Sequence, residues 1–247
     1  MKLIASDYDG TFSNGSLEDR QRAVANWQAA GNKFGIVSGR CLEELVQIAN
    51  REGAKCDFLI SSGGMRICDG AGSILSEEKC PGEWLSEILP FIFQNGCTWC
   101  YIHGDPSFVV NYPNDSVSFV TCVTIEEATK ISCFYQISAV CEHEEDAKKL
   151  AKALQEQYTS WVNPLQNGAT VDIVHAGVDK AQSIRRLLKL WEIEEKNAIV
   201  AGDNFNDLPM ICAFRSYAMV NAPQSVQDAA DYVVSDIVAI INKELNL

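Results

Sequence analysis

The first sixty residues alternate between short apolar runs and segments with helical spacing of apolar positions. Residues 2–6 form an apolar run that ends in an acidic stretch, which predicts a buried strand opening into a loop at its carboxyl end. A helix is predicted between Ser16 and Gly31, and a strand over 33–37 follows it. A second helix then leads to a strand over 57–60. Alternating strands and helices of this kind predict a parallel, doubly wound sheet.

The pattern changes in the middle of the chain. Two short strands around Asp69-Gly70-Ala71-Gly72 predict a hairpin that ends the first half of the core. From Pro81 to Gly168 the sequence predicts a helix, several strands rich in aromatic residues, a second helix with an acidic start, and a strand near Trp161. We interpret this region as an inserted α+β cap.

Core-like periodicity returns after Gly168. A strand over 170–174, a helix over 180–190 and a strand over 197–201 suggest that the parallel core has resumed. The predicted fold is therefore α/β, with a doubly wound parallel-sheet, Rossmann-like core. Its parts are residues 1–80 and 169–247, with the α+β cap inserted at 81–168.

Composition limits the classes of partner. With 247 residues, 47% of them hydrophobic, the chain can bury a large core, while a net charge of -13 argues against binding DNA or RNA. We find no signal peptide and no segment of membrane-spanning length, so we expect a cytoplasmic protein without a membrane partner. The ten scattered cysteines are expected to be reduced. The oligomeric state is left open.

Chemically capable residues recur where predicted strands end. Asp7 and Asp9 follow the first strand, and Ser38-Gly39-Arg40 follows the second, where a hydroxyl and main-chain N–H groups suit a small phosphate. Lys180 is predicted at the start of a helix, where acidic residues are preferred. A lysine is unfavourable at that position unless it faces negative charge. Gly202-Asp203-Asn204-Phe205-Asn206-Asp207 follows the last strong strand and offers the hard oxygen ligands that magnesium selects.

These motifs, in this order, resemble the four motifs of the haloacid dehalogenase superfamily. The position of the insertion, together with Gly177-Val178-Asp179-Lys180, is similar to the Cof-like (type IIB) subgroup of sugar-phosphate phosphatases. The resemblance implies that Asp7 is the nucleophile and forms an aspartyl-phosphate. It implies that Asp9 is the general acid and base, and that Thr11 helps to orient the Asp9 loop. Asp9 must be protonated to act as an acid, and we expect its acidic neighbours to favour protonation.

The same resemblance assigns the remaining site residues. Ser38, the Gly39 amide, Lys180 and Asn206 would bind the phosphate, and Asp207 would support them from outside. Mg²⁺ would be bound by the Asp7 carboxylate, the Asp9 main-chain carbonyl and the Asp203 carboxylate. Phosphoryl transfer needs mainly positioning and charge neutralisation, which this set can supply.

The expected function is a Mg²⁺-dependent phosphatase for a small phosphorylated metabolite, most simply a sugar phosphate, with the cap closing to exclude water and select substrate. A phosphomutase of the same subgroup is an alternative. A non-catalytic phosphometabolite-binding regulator is another, although an intact Asp9 argues against lost catalysis. A response-regulator-type domain would need only about half of this length.

Overall fold

The computed structural model describes residues 1–53, 55–113 and 120–246. The chain folds as two compact units. The first combines Met1–Glu77 with Asp179–Leu247, and the second comprises Glu78–Val178. We call them the core unit and the inserted unit.

The strands, in chain order, are β1 (Leu3–Ser6), β2 (Lys33–Val37), β3 (Phe58–Ser61), β4 (Arg66–Asp69), β5 (Ile74–Glu77), β6 (Cys80–Pro81), β7 (Cys97–His103), β8 (Phe108–Val110), β9 (Thr121–Val123), β10 (Cys133–Phe134), β11 (Gln136–Cys141), β12 (Val162–Asn167), β13 (Thr170–His175), β14 (Ala198–Gly202), β15 (Arg215–Met219) and β16 (Tyr232–Val234). The α-helices are α1 (Leu17–Ala29), α2 (Leu42–Glu52), α3 (Leu85–Gln94), α4 (Ile125–Ala128), α5 (Glu144–Tyr158), α6 (Lys180–Leu190), α7 (Leu208–Ala213), α8 (Gln224–Ala229) and α9 (Ile237–Leu245).

In the described residues of the core unit, eight strands form one sheet in the order β16-β15-β14-β1-β2-β3-β4-β5. The pairs from β16 to β3 are parallel, while β4 and β5 continue the sheet as an antiparallel hairpin. The predicted α/β fold with a doubly wound core is confirmed.

Both faces of the core sheet are buried, and alternate residues of each strand explain how. On β1, Ile4 joins an apolar cluster that includes residues of α1, α2 and α9. Its neighbours Leu3 and Ala5 belong to a second cluster that includes residues of α6 and α7. Successive side chains of a strand point to opposite faces, so the two clusters lie on opposite sides of the sheet. Continuous apolar runs in the sequence follow from this double burial.

The inserted unit has a different kind of sheet. Six of its described strands form a sheet in the order β12-β13-β11-β7-β8-β9, in which every neighbouring pair except the parallel β8 and β9 is antiparallel, and β6 and β10 form a separate antiparallel pair. Helices α3 and α5 contact this sheet. Alternate positions on its central strands are fully buried apolar residues, including Ile102, Ile137 and Ile173. The intervening positions are largely polar.

The predicted start of the second core segment at residue 169 was wrong. The strand predicted over 170–174 is β13, and it pairs antiparallel with β11 and β12 in the inserted unit. The core unit resumes only at Asp179, just before α6. The apolar run of β13 fits either sheet, because its pattern does not specify which strands it will pair with.

Helix α6 is fixed at its start by Asp179, whose carboxylate Oδ1 accepts a hydrogen bond of 2.7 Å from the Gln182 main-chain N–H. This N-cap makes Lys180 the first residue of the helix. Within the described ranges, none of the helices combines the length and apolarity needed to cross a membrane.

Candidate active site

Three of the four predicted motifs follow neighbouring strands of the core sheet. Asp7 comes directly after β1, Ser38 after β2 and Asp203 after β14, and β1 lies between the other two. These strands are parallel, so their carboxyl ends lie at one edge of the sheet, where open α/β sheets place their ligands. We call this the catalytic edge.

The fourth motif reaches the same edge through Lys180. Its side chain is 1% exposed, and its Nζ donates hydrogen bonds to Asp7 Oδ1 at 2.6 Å and to Asp207 Oδ1 at 2.5 Å. Burial of an ammonium group is costly unless it is paired, and here two carboxylates pair with it. The contacts place Lys180 against two carboxylates, and its phosphate-binding role stays a prediction.

Asp207 is a supporting carboxylate. Its Oδ2 accepts hydrogen bonds from the main-chain N–H groups of Asp203 at 2.9 Å and Asn204 at 3.1 Å, while its Oδ1 accepts from Lys180. Gly202 is required beside it, because a Cβ there would lie 2.5 Å from the Asp207 side chain. Asp207 thus ties the loop after β14 to α6.

Asp203 is bound to the loop that carries Asp7. The Thr11 hydroxyl donates to Asp203 Oδ1 at 2.7 Å, and the Asn221 amide lies 3.3 Å from Asp203 Oδ2 and 3.2 Å from the Gly10 carbonyl. Gly10 has φ of +75°, and a Cβ at this position would collide with the Asp203 carboxylate. Only glycine allows the two loops to approach so closely.

Asp9 has a different environment from the expected one. Arg40 Nε donates to its Oδ2 at 2.7 Å, and Arg40 Nη2 donates to its Oδ1 at 2.8 Å. We expected acidic neighbours around Asp9, but its carboxylate is paired with the guanidinium group of Arg40 in a bidentate contact. Arg40 must release at least one Asp9 oxygen before Asp9 can act on a leaving oxygen.

Ser38 and Asn206 are both buried at the catalytic edge. The Ser38 main-chain N–H donates to the Ile60 carbonyl, and its hydroxyl accepts from the Arg40 N–H at 3.2 Å. Gly39 lies between Ser38 and Arg40. Asn206 occupies the short turn after β14, next to Asp207. The phosphate-binding roles of Ser38, Gly39 and Asn206 stay predictions.

Sequence reasoning assigned no role to a buried network under the nucleophile loop. The Tyr8 hydroxyl donates to Glu52 Oε1, and Arg20 Nη1 contacts both Glu52 Oε2 at 3.0 Å and the Phe12 carbonyl at 2.6 Å. The network connects the residue after Asp7 to α1 and α2. Tyr8 was visible as an aromatic residue inside an otherwise acidic motif, but its partner lies 44 positions away.

The charges of the site do not balance without a further cation. Burial raises the pKa of Asp7, and Lys180 opposes this while Asp207 and Asp203 add to it. Burial also raises the pKa of Asp203. For Lys180, burial would lower the pKa, but the carboxylates of Asp207 and Asp7 outweigh it and raise the pKa. Three carboxylates therefore surround one ammonium group.

The donor set fits a hard divalent cation. One carboxylate oxygen from each of Asp7, Asp203 and Asp207 lies within 4.8 Å of the other two. Both oxygens of Asp207 accept hydrogen bonds of 3.1 Å or less, whereas the Asn221 amide lies 3.3 Å from Asp203 Oδ2, so Asp7 and Asp203 are the better carboxylate ligands. All of these donors are oxygens, as Mg²⁺ prefers. The residues present therefore fit the predicted magnesium site.

The fold and the motifs at the strand ends are those of a hydrolase family. The family model of haloacid dehalogenase-like hydrolases matches residues 4–237, and the chain belongs to this family. The predicted membership and the predicted phosphatase class are both confirmed.

The individual proteins that resemble this chain have low sequence identity to it. The 5-amino-6-(5-phospho-D-ribitylamino)uracil phosphatase YbjI of Escherichia coli is 25% identical, and the alignment covers 94% of this chain and 90% of the relative. An HMP-PP phosphatase of Yersinia pseudotuberculosis is 22% identical, with 92% and 87% covered. A solved structure of a subclass IIB sugar phosphatase superposes with a TM-score of 0.81 at 21% identity, covering 100% and 99%.

Proposed function

We propose that the chain is a Mg²⁺-dependent phosphatase that hydrolyses a small phosphorylated metabolite of the sugar-phosphate class through an aspartyl-phosphate on Asp7. The observation that carries the proposal is the placement of Asp7. It is a buried carboxylate at the end of β1, with Lys180 Nζ 2.6 Å from one of its oxygens. A buried, charge-paired carboxylate at a ligand-binding edge is a reactive group rather than a surface one.

In the first step a carboxylate oxygen of Asp7 attacks phosphorus, and the bond from phosphorus to the ester oxygen breaks. Asp9 gives its proton to that leaving oxygen. In the second step Asp9 takes a proton from water, the water oxygen attacks phosphorus, and the acyl-phosphate bond breaks to release phosphate and regenerate Asp7. Bound Mg²⁺, held by Asp7, Asp203 and the Asp9 carbonyl, would supply charge neutralisation.

The other groups position the phosphoryl group. Lys180 offsets the charge on its oxygens, and the Ser38 hydroxyl, the Gly39 N–H and the Asn206 amide donate to them. Thr11 and Asp207 hold the two loops in register through their contacts with Asp203. Arg40 holds both carboxylate oxygens of Asp9 until substrate charge competes for the guanidinium group.

Two features support a small hydroxyl-bearing leaving group. The inserted unit places Tyr101, His103, Gln136, Ser138 and Asp172 at alternate positions of three paired strands, so they share one sheet face. Such groups can bind hydroxyls of a sugar or polyol. The E. coli relative acts on a phosphoribityl compound by name, which agrees with a polyol substrate.

The experiment separates the roles of Asp7 and Asp9. Asp7→Asn should reduce turnover to background with every substrate, because no acyl-phosphate can form. Asp9→Asn should lose about 10²–10⁴-fold with a sugar phosphate, whose alkoxide needs a proton. With p-nitrophenyl phosphate, whose phenolate leaves unaided, Asp9→Asn should still phosphorylate Asp7.

Rapid-mixing measurements of p-nitrophenolate release distinguish the two roles. Asp9→Asn should release a burst of one p-nitrophenolate per active site and accumulate phosphoenzyme, and Asp7→Asn should show no burst. Equal residual activity of the two variants on both substrates would contradict the assigned roles.

A further inference from the structure

A basic cleft lies at the opposite edge of the core sheet from Asp7. It has a volume of about 350 Å³, and its lining includes Lys2, Lys196, Arg215 and Lys243. Lys2 directly precedes β1, Lys196 lies two residues before β14, and Arg215 opens β15, which are three adjacent strands. Strands of four or five residues separate this amino edge from the catalytic edge by about 15 Å. The cleft is therefore distinct from the catalytic site.

Among the described residues that line this cleft, Glu244 is the one with a carboxylate, and two cations share it. Its carboxylate accepts from Lys2 Nζ at 2.9 Å, Arg215 Nε at 2.7 Å and the Tyr217 hydroxyl at 2.5 Å. Burial opposes ionisation of Glu244, but the hydrogen bonds from Tyr217, Lys2 and Arg215 outweigh it and lower the pKa. One ionised carboxylate between two cations leaves an excess positive charge.

The other two cations add to that excess. Lys243 Nζ lies 3.3 Å from the centre of the Tyr232 ring, and the Arg215 guanidinium carbon lies 5.0 Å from the same ring. An aromatic face attracts a cation only weakly and does not neutralise it. Lys196 is partly offset by the exposed Glu194, at 2.7 Å. The cleft thus concentrates four of the chain's 20 basic residues, although the net charge is -13.

We propose that this cleft binds a small dianionic oxyanion of the phosphate type. Its volume is at the lower end of the roughly 300–1,000 Å³ range of ligand pockets and admits a small ion. The ammonium groups of the three lysines and the guanidinium group of Arg215 are donors of the kind that bind phosphate oxygens. A dianion there would offset the charge that Glu244 alone leaves. Free phosphate and the phosphate group of a metabolite share this chemistry.

Titrations followed by amide NMR can test the site on the full chain. The Asp7→Asn protein would be used to prevent turnover, with inorganic phosphate in one arm, glycerol 1-phosphate in the other, and sodium chloride at equal ionic strength as the reference. We expect saturable shifts of the Arg215 to Tyr217 and Lys243 to Glu244 amides with phosphate but not with chloride. Amides near Ser38 report the catalytic edge separately.

Lys243→Gln and Lys196→Gln remove one positive charge each and leave the contacts of Glu244 intact. Lys243→Gln should weaken phosphate binding at the amino edge by about tenfold, since it removes a charged donor. Lys196→Gln should weaken it less, and the control Lys152→Gln, on the exposed side of α5, should not change it. Saturation by phosphate alone would identify the free ion as ligand, and saturation by both would identify the phosphate group.

Two results would overturn the proposal. One is the lack of saturable shifts at the amino edge while the Ser38 region responds. The other is equal phosphate affinity in the Lys243→Gln and Lys152→Gln proteins. If Lys243→Gln did not fold, the comparison of Lys196→Gln with Lys152→Gln would decide in the same way.

Discussion

The core unit and the inserted unit use their sheets in opposite ways. In the core unit both sheet faces are buried and apolar, so the reactive side chains lie beyond the strand ends, as Asp7 and Asp203 do. In the inserted unit one sheet face is apolar, and the other carries polar side chains along the strands. His103, Ser138 and Asp172 are joined there by hydrogen-bond contacts, with Asp172 Oδ1 accepting from Ser138 at 2.7 Å.

If the proposed function holds, this difference would separate reaction from substrate selection. A group beyond a strand end can be held rigidly by main-chain contacts, as Asp207 is. A polar sheet face presents many donors and acceptors along its strands. Changes in the core unit should therefore affect all substrates alike, and changes on the polar face should affect only substrates whose leaving group has hydroxyls to bind.

Removal of the divalent cation should have the largest effect. Asp7 and Asp203 both have raised pKa values through burial, and the phosphate adds more negative charge than Lys180 can offset. We expect turnover of p-nitrophenyl phosphate and of a sugar phosphate to fall by about a thousandfold or more after chelation. Mg²⁺ should restore both. Full activity in the chelated protein, with metal content checked by elemental analysis, would show that the charge argument is wrong.

The substitution Lys180→Gln should have the next largest effect on turnover. It removes the ammonium group that contacts Asp7 and Asp207, and we expect kcat to fall by about 10²–10³-fold on both substrates. The free energy of unfolding should fall too, because two buried carboxylates lose their partner. Lys189→Gln, in the last turn of the same helix, is the matched control and should leave kcat unchanged. A loss confined to one substrate would break the proposed division between the units.

The catalytic edge was readable from the sequence because it consists of short motifs at strand ends. Each of Asp7, Ser38 and Asp203 follows an apolar run, and the parallel arrangement of the strands brings such positions to one edge. Lys180 was identifiable because its charge opposes the helix dipole. These signals are local in the sequence. The parallel strands bring the motifs together, so their proximity can be predicted without knowing which side chains contact one another.

The remaining features depend on contacts between residues far apart in the sequence, which local sequence patterns do not encode. The strand over 170–174 has the same apolar pattern in either sheet, and only its partners β11 and β12 place it in the inserted unit. Arg40 was part of a recognised motif, but its bidentate contact with Asp9 spans 31 positions. Asn221, beyond β15, belongs to no motif that we identified. The polar face of the inserted unit arises from the register of three strands, each ordinary in sequence.

Asp172→Asn tests the polar face. The substitution keeps the shape and most hydrogen bonds to Ser138 and Gln136 but removes the charge. If hydroxyls of the leaving group bind this face, kcat/KM for the preferred sugar phosphate should fall by about tenfold, within the range of one lost polar contact. Activity on p-nitrophenyl phosphate should change by less than about twofold. Asp146→Asn, at a half-buried position in the first turn of α5, is the control. Equal losses on both substrates would assign Asp172 a structural role.

The smallest effect concerns the stability of the inserted unit and involves no catalytic residue. Burial lowers the pKa of His103 to about 3, whereas an unfolded histidine titrates near its ordinary value of 6.5. Below pH 6.5 the unfolded chain therefore binds a proton that the folded chain does not, so stability must fall as the pH falls towards 3. Between pH 7.5 and pH 5 the free energy of unfolding should fall by about 2 kcal/mol from this histidine.

His103→Gln removes the titrating group while keeping a polar side chain. Urea unfolding of both proteins at the two pH values should show a loss on acidification that is about 2 kcal/mol larger with His103. Losses of equal size would mean that the imidazole is protonated in the folded state, beside Ser138 and Asp172, and that the polar face carries more positive charge than its burial suggests.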